Sequence, residues 1–183
     1  MPVIKQTWKA HKAKWIDCKR CELCKVRKRV VLFRGEYLPC DILFVGEAPG
    51  ESEDTLGVPF IGPAGKLLDS IIENSIPNGV KLGFTNVIGC IPKMDGRKVS
   101  DPPKYAIKNC NTRLDEIIAL SKPELIVAVG TIAKKELDRK NYKYCEITHP
   151  AVIMRANIAQ QPLAIQRCEI VLSNAWDAYI PFW

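Results

Sequence analysis

No apolar run in these 183 residues approaches the roughly 20 positions that a membrane helix needs, so the sequence offers no spanning helix. Internal repeats and low-complexity segments are also missing. The basic first residues are not followed by an apolar core and a cleavage site. An intracellular, cytoplasmic, soluble protein is therefore the expectation. No compositional break marks a domain boundary. The expectation is one domain over 1–183, with a basic N-terminal extension (1–17) and a C-terminal helix with an aromatic tail (156–183).

What is present is a globular composition, 47% hydrophobic, on a chain long enough for a sizeable core. The net charge of +7 is unevenly placed. Residues 1–34 hold eleven Lys or Arg against two acidic residues, and the remainder is slightly acidic. Arg27, Lys28 and Arg29 are the densest part of this basic arm. Such a run is either a solvated face or a phosphate-binding surface. Eight cysteines in an intracellular chain point to metal or redox chemistry rather than to disulfides. Cys18, Cys21 and Cys24 form a C-x2-C-x2-C run, and the other five are scattered.

The order of elements predicts an α/β protein. A short helix over 4–16 carries Trp8 and Trp15 on one side, packed on the body. A strand is expected at Val30 to Phe33 and a buried one at Ile42 to Val45, followed by a long loop from Gly46 to Gly62. Pro63 suits a first helical position, and Leu67, Leu68, Ile71 and Ile72 give residues 63–74 a core face. Further strands are predicted at Phe84 to Val87, Leu125 to Val129 and Tyr144 to Ile147. Residues 89–103 read as a loop and 104–120 as a helix with Cys110 on its apolar face. Another helix follows Thr131 as N-cap, and a last one begins near Ile158. This alternation argues for a three-layer α/β/α sandwich around a central, mostly parallel sheet.

In such a sheet, residues just past the strand ends gather along one edge. Glu47, Asn86 and His149 hold such positions, and Phe60 lies on the long loop between them. Each has a plainer reading: a surface carboxylate, a turn cap, a loop histidine, a core phenylalanine. Together they suit a pocket for a flat heterocycle, in which the aromatic ring stacks, the amide reads an edge and the imidazole supplies a hydrogen bond.

Five segments carry a resemblance. They are Cys18-Lys-Arg-Cys21-Glu-Leu with Arg-Val-Val at 29–31, Gly46-Glu-Ala-Pro-Gly50-Glu-Ser-Glu-Asp54, Gly57-Val-Pro-Phe60-Ile-Gly-Pro-Ala-Gly65, Thr85-Asn86-Val-Ile-Gly-Cys90, and His149-Pro-Ala-Val-Ile-Met-Arg155. In this order the chain, from Cys18 to Arg155, resembles the iron–sulfur (family 4) uracil-DNA glycosylases. The resemblance implies hydrolysis of the N-glycosidic bond of flipped-out deoxyuridine in single- or double-stranded DNA, by a monomer with replication or repair proteins as possible partners. It implies a 4Fe–4S cluster held by Cys18, Cys21, Cys90 and Cys110, with Cys24 a rival ligand and zinc a rival metal. Phe60 would stack on the uracil, Asn86 would read it beside Gly46 and Ala48, and His149 would donate to O2. Glu47 would serve the sugar and the water. Glu53 is the alternative acid, or a wall against the thymine methyl group. Val152, Ile153 and Met154 would wedge into the duplex, and Arg155 with Arg27, Lys28 and Arg29 would hold phosphates.

Two departures accompany this. Ala48 stands where other branches of the superfamily carry a catalytic aspartate, and the segment from Leu137 to His149 is short. The rival expectations are a DNA-binding relative without activity and a glycosylase for another modified base.

Overall fold

The computed structural model describes residues 7–36, 38–94, 97–98 and 101–179. In chain order its elements are α1 (Trp8–Trp15), β1 (Ile42–Gly46), α2 (Glu51–Leu56), α3 (Pro63–Ser75), β2 (Leu82–Asn86), the antiparallel pair β3 (Lys93–Met94) and β4 (Arg97–Lys98), α4 (Lys104–Ser121), β5 (Leu125–Val129), α5 (Thr131–Arg139), β6 (Cys145–Ile147), α6 (Pro150–Arg155) and α7 (Gln161–Tyr179). The main sheet has the order β2-β1-β5-β6, and each neighbouring pair is parallel.

Burial on both faces explains the continuous apolar runs of β1 and β5. Ile42 and Phe44 face a core shared with Leu68 and Ile71 of α3 and Leu172 and Trp176 of α7. Leu43 and Val45 face the opposite core, with Trp15 of α1, Leu114 and Ile117 of α4 and Leu137 of α5. Helices thus cover both faces, which is the three-layer sandwich expected. No helix among the described residues is long and apolar enough to cross a membrane.

Several local expectations change. Val30 to Phe33 is not a strand. It is an extended ledge whose Val31 N–H donates to Gly89 O, and its end forms a single antiparallel bridge between Arg34 and Phe84. The loop from Gly46 to Gly62 contains α2, because three acidic residues in its first turn favour the positive end of a helix. β2 begins two residues earlier than predicted. Gly130, at φ 89°, caps α5 in place of Thr131. The chain after His149 is helical at once, since Pro150 occupies a first helical position. Residues 4–6 of the expected first helix and residues 180–183 of the tail lie outside the described residues.

α1 is locked to α4 by a polar knot rather than by apolar periodicity. Glu116 accepts from Trp15 Nε1 at 2.6 Å, pairs with His11 Nδ1 at 2.9 Å and binds Lys14. Trp15 is fully buried, and the Arg20 guanidinium sits 4.2 Å from its ring centroid. Burial holds His11 below its usual value of 6.5 despite the adjacent carboxylate. Burial would raise Glu116, but hydrogen bonds from Lys14, Trp15 and His11 win and lower it. Both shifts have the same consequence: as pH falls below 6.5 the unfolded chain binds protons that the native state resists, so stability is lost. We expect Trp15 fluorescence to report loosening of α1 between about pH 6 and pH 4, and Glu116→Gln to bring it on nearer neutrality. An unchanged emission across that range would contradict this.

Candidate functional site

All strands of the main sheet point their carboxyl ends to one edge, where Gly46, Asn86, Val129 and Ile147 terminate them. Asn86 is the last residue of β2 and pairs in register with Gly46 of β1. A side-chain carbon built on Gly46 would stand 2.4 Å from Phe60 Cζ and 2.5 Å from Asn86 Oδ1. Ring and amide therefore share the volume that any larger residue at 46 would fill. Gly130 plays the same part for the imidazole. Its positive φ suits only glycine well, and a Cβ there would meet His149 Cβ at 2.8 Å.

Phe60, Asn86 and His149 line one cavity of about 370 Å³, together with Ala48, Glu53, Met154 and Arg155. Phe60 is held at φ 56°, a left-handed conformation that costs a non-glycine residue about 1–2 kcal/mol. Its ring tilts against Phe84, which stacks on Phe44 at 5.1 Å. The Arg34 guanidinium covers Phe84 at 3.8 Å and is itself paired with Asp69.

Glu53 supplies the restraint that keeps Phe60 in place. One carboxylate oxygen accepts from Ile61 N at 3.1 Å and Gly62 N at 2.8 Å, and the other accepts from Gly50 N at 3.1 Å. The last bond satisfies the N-cap N–H of α2, as the N3 carboxylate of a capping box does, while Gly50 has no side chain to supply the other half. Asp54, fully buried beside it, accepts the backbone N–H groups of Lys28 and Arg29 and so fastens the basic arm to the same helix.

His149 is the N-cap of α6, and its Nδ1 accepts from Ala151 N at 3.1 Å. With Nδ1 an acceptor, the neutral ring carries its proton on Nε2, which is then a donor.

Other expected site residues fall elsewhere. Glu47 lines a neighbouring cavity of about 550 Å³ that shares Ala48, His149, Ala151 and Arg155 with the first. Ile153 is 1% exposed and belongs to the core, so it cannot wedge into DNA; Val152 and Met154 are the exposed apolar side chains of that turn. The one-turn helix α6 forces this split, because successive residues cannot share a face. Lys28 and Arg29 are exposed, and Lys28 Nζ reaches Thr55 Oγ1. Arg27 is turned inward and donates to Cys18 O at 2.9 Å.

The expected cysteine ligands meet on one side of the molecule. Cys90 and Cys110 are buried in the core that Cys18 and Cys21 pack against. Burial raises the Cys21 thiol, and Cys110, Cys18 and Cys24 add to the rise. Burial pushes Cys90 up to about 12, Cys110 and Cys21 adding to the effect while Arg27 and Arg113 oppose it. Among the described residues, no three His, Cys, Asp or Glu side chains stand close enough to share a single metal ion.

One contributor escaped the sequence reading. Arg113, 1% exposed, lies one turn beyond Cys110 on α4 and donates to Thr85 Oγ1, Asn86 O and Val87 O. Its signal was an arginine beside the apolar face formed by Cys110, Leu114 and Ile117.

A parallel α/β sandwich with a cavity beyond the carboxyl ends of its central strands defines the class. The family model of the uracil DNA glycosylase superfamily matches residues 33–172. The chain belongs to that superfamily. It is 38% identical over 126 residues to the type-4 uracil-DNA glycosylase of Sulfurisphaera tokodaii, covering 68% of this chain and 55% of that protein. Similar relatives are the type-4 uracil-DNA glycosylases of Pyrobaculum aerophilum (37% over 124 residues, covering 66% and 59%) and Thermotoga maritima (36% over 116 residues, covering 63% and 58%). The matches thus span less than three-fifths of each relative's length. The resemblance read from the five motifs agrees with these relatives.

Replacing Glu53 removes an acceptor from three backbone N–H groups. We expect Glu53→Ala to cost about 1–3 kcal/mol in denaturant unfolding and Glu53→Gln less. The amides of Gly50, Ile61 and Gly62 should lose hydrogen-exchange protection together. Retained protection at Ile61 and Gly62 would show that the loop is held otherwise.

Proposed function

We propose that this protein is a monofunctional uracil-DNA glycosylase that removes uracil from DNA for repair. The observation that carries the proposal is the convergence of Phe60, Asn86 and His149 on one cavity. The target nucleotide leaves the stack at a cost of a few kcal/mol and enters that cavity. Phe60 stacks on the base. The Asn86 amide donates to O4 and accepts from N3–H. Cytosine presents the opposite pattern, so it would leave buried groups unpaired.

As the glycosidic bond lengthens, negative charge builds on uracil O2 and positive charge on the sugar. His149 donates through Nε2 to O2, a stabilisation that grows with the charge. Glu47, which lines the adjoining cavity, would favour the sugar cation and orient the water. Glu53 acts on the loop and has its oxygens engaged by backbone N–H groups, which favours a positioning role over proton transfer. Val152 and Met154 enter the space the base vacates, while Arg155, Lys28 and Arg29 meet phosphates.

Cys18, Cys21, Cys90 and Cys110 would hold a 4Fe–4S cluster. Zinc draws four donors to about 2.3 Å from one ion, whereas a cubane spreads its thiolates over four irons. Four thiolates and no imidazole or carboxylate make up the proposed donor set, which suits such a cluster. Its job would be structural, joining the basic arm to the segment after β2 and to α4.

With a labelled oligonucleotide holding one deoxyuridine, alkali should cut after incubation with the protein. His149→Ala and Asn86→Ala should each reduce the cutting rate at least about 100-fold while iron content is unchanged. Equal cutting by these variants would remove the site assignment, and no cutting by the native protein would favour a DNA-binding relative.

A further inference from the structure

Among the described residues, the buried Arg113 and the half-buried Arg27 have no carboxylate partner, and both lie beside the cysteine set. Arg113 is almost wholly buried and Arg27 half-buried. The Nε–H of each is buried and has no hydrogen-bond partner. Neither takes part in an ion pair with a carboxylate among the described residues. Arg34 has a similarly orphaned Nε, but its other nitrogens are paired with Asp69, so its charge is balanced. An unpaired buried cation is strongly unfavourable, and a missing anion is the simplest remedy.

The positions of the two arginines say which anion. Arg27 donates to the carbonyl of Cys18. Arg113 follows Cys110 by three residues on α4, which places both on one side of the helix. Its Nε lies 3.3 Å from a carbon built on Gly89, next to Cys90. A cluster held by four thiolates is a net anion, and hydrogen bonds to its sulfurs and the surrounding charge set its potential and its retention.

We infer that Arg27 and Arg113 are a cationic cradle for the thiolate-held iron–sulfur group, balancing its negative charge and tuning its reduction potential. This rests on the cluster reading above. Arg113 carries a second duty, because its other nitrogens hold the Thr85–Val87 end of β2. Arg27 is the cleaner probe, since it makes no bond to that strand.

The test uses the full chain with its cluster, compared with Arg27→Met, Arg27→Lys and Arg113→Lys. One-electron reduction adds negative charge to an anionic group, so losing a nearby cation makes it harder. By voltammetry, Arg27→Met should shift the potential to more negative values, and Arg27→Lys should restore most of the shift. Iron loss to a chelator, followed by the cluster's visible absorbance, should quicken about tenfold in Arg27→Met. Arg113→Lys keeps the charge but loses the fork, so the potential should move less than the chelation rate. A folded, iron-replete Arg27→Met with native potential and native iron loss overturns the inference. A native protein that excises uracil but carries no iron and sulfide overturns the cofactor reading and the cradle with it, leaving the glycosylase assignment standing.

Discussion

A single missing side chain at the end of the central strand organises this site. Because Gly46 has no Cβ, the Phe60 ring and the Asn86 amide can both crowd onto the same point of the strand. Neither residue is adjacent to the other in sequence. The parallel pairing of β1 with β2 brings Asn86 level with Gly46, and the left-handed turn at residue 60 swings the ring over it. That turn is costly, and the Glu53 carboxylate maintains it by taking up the N–H groups just beyond. A carboxylate in a pocket invites a catalytic reading; here three backbone donors give it a mechanical one.

A second hub lies behind the first. Arg113 reaches from the helix bearing Cys110 to the carbonyls of Asn86 and Val87 at the end of β2. The cysteine set and the amide are therefore not independent modules. Whatever fixes Cys90 and Cys110 also fixes the ends of the segment from which Asn86 projects. A group held by Cys90 and Cys110 would therefore brace, from behind, the strand end that carries Asn86. The basic arm joins the same assembly through Asp54, whose carboxylate ties the backbone at 28–29 to the helix after the first motif. Arm, loop and strand end are held as one body around the cavity.

Legibility in the sequence varied with the range of the deciding interaction. The buried strands at 42–46 and 125–129 were readable because continuous apolar runs flanked by turn residues have few other solutions. The helix after Pro63 announced itself through its first residue and its core face. The ledge at residues 30–33 is no strand, since its apolar character serves packing while its hydrogen bonds, from Val31 N to Gly89 O and from Thr85 Oγ1 to Leu32 O, form no ladder. The helix inside the first motif was missed, because six residues with a glycine cap carry too little periodicity to register. Ile153 looked like part of an exposed wedge until the geometry of one helical turn divided it from its neighbours.

The order of strands and helices, the identities of ring, amide and imidazole, and the cysteine positions were all present in the linear chain, since each depends on local periodicity or on motif spacing. Their meeting in one cavity was not. Nor were the inward turn of Arg27, the burial of Arg113 with no carboxylate partner among the described residues, and the restraint of Phe60 by Glu53. Those depend on distances between segments far apart in sequence, and such distances exist only once the sheet has aligned its strand ends and the helices have closed over both faces.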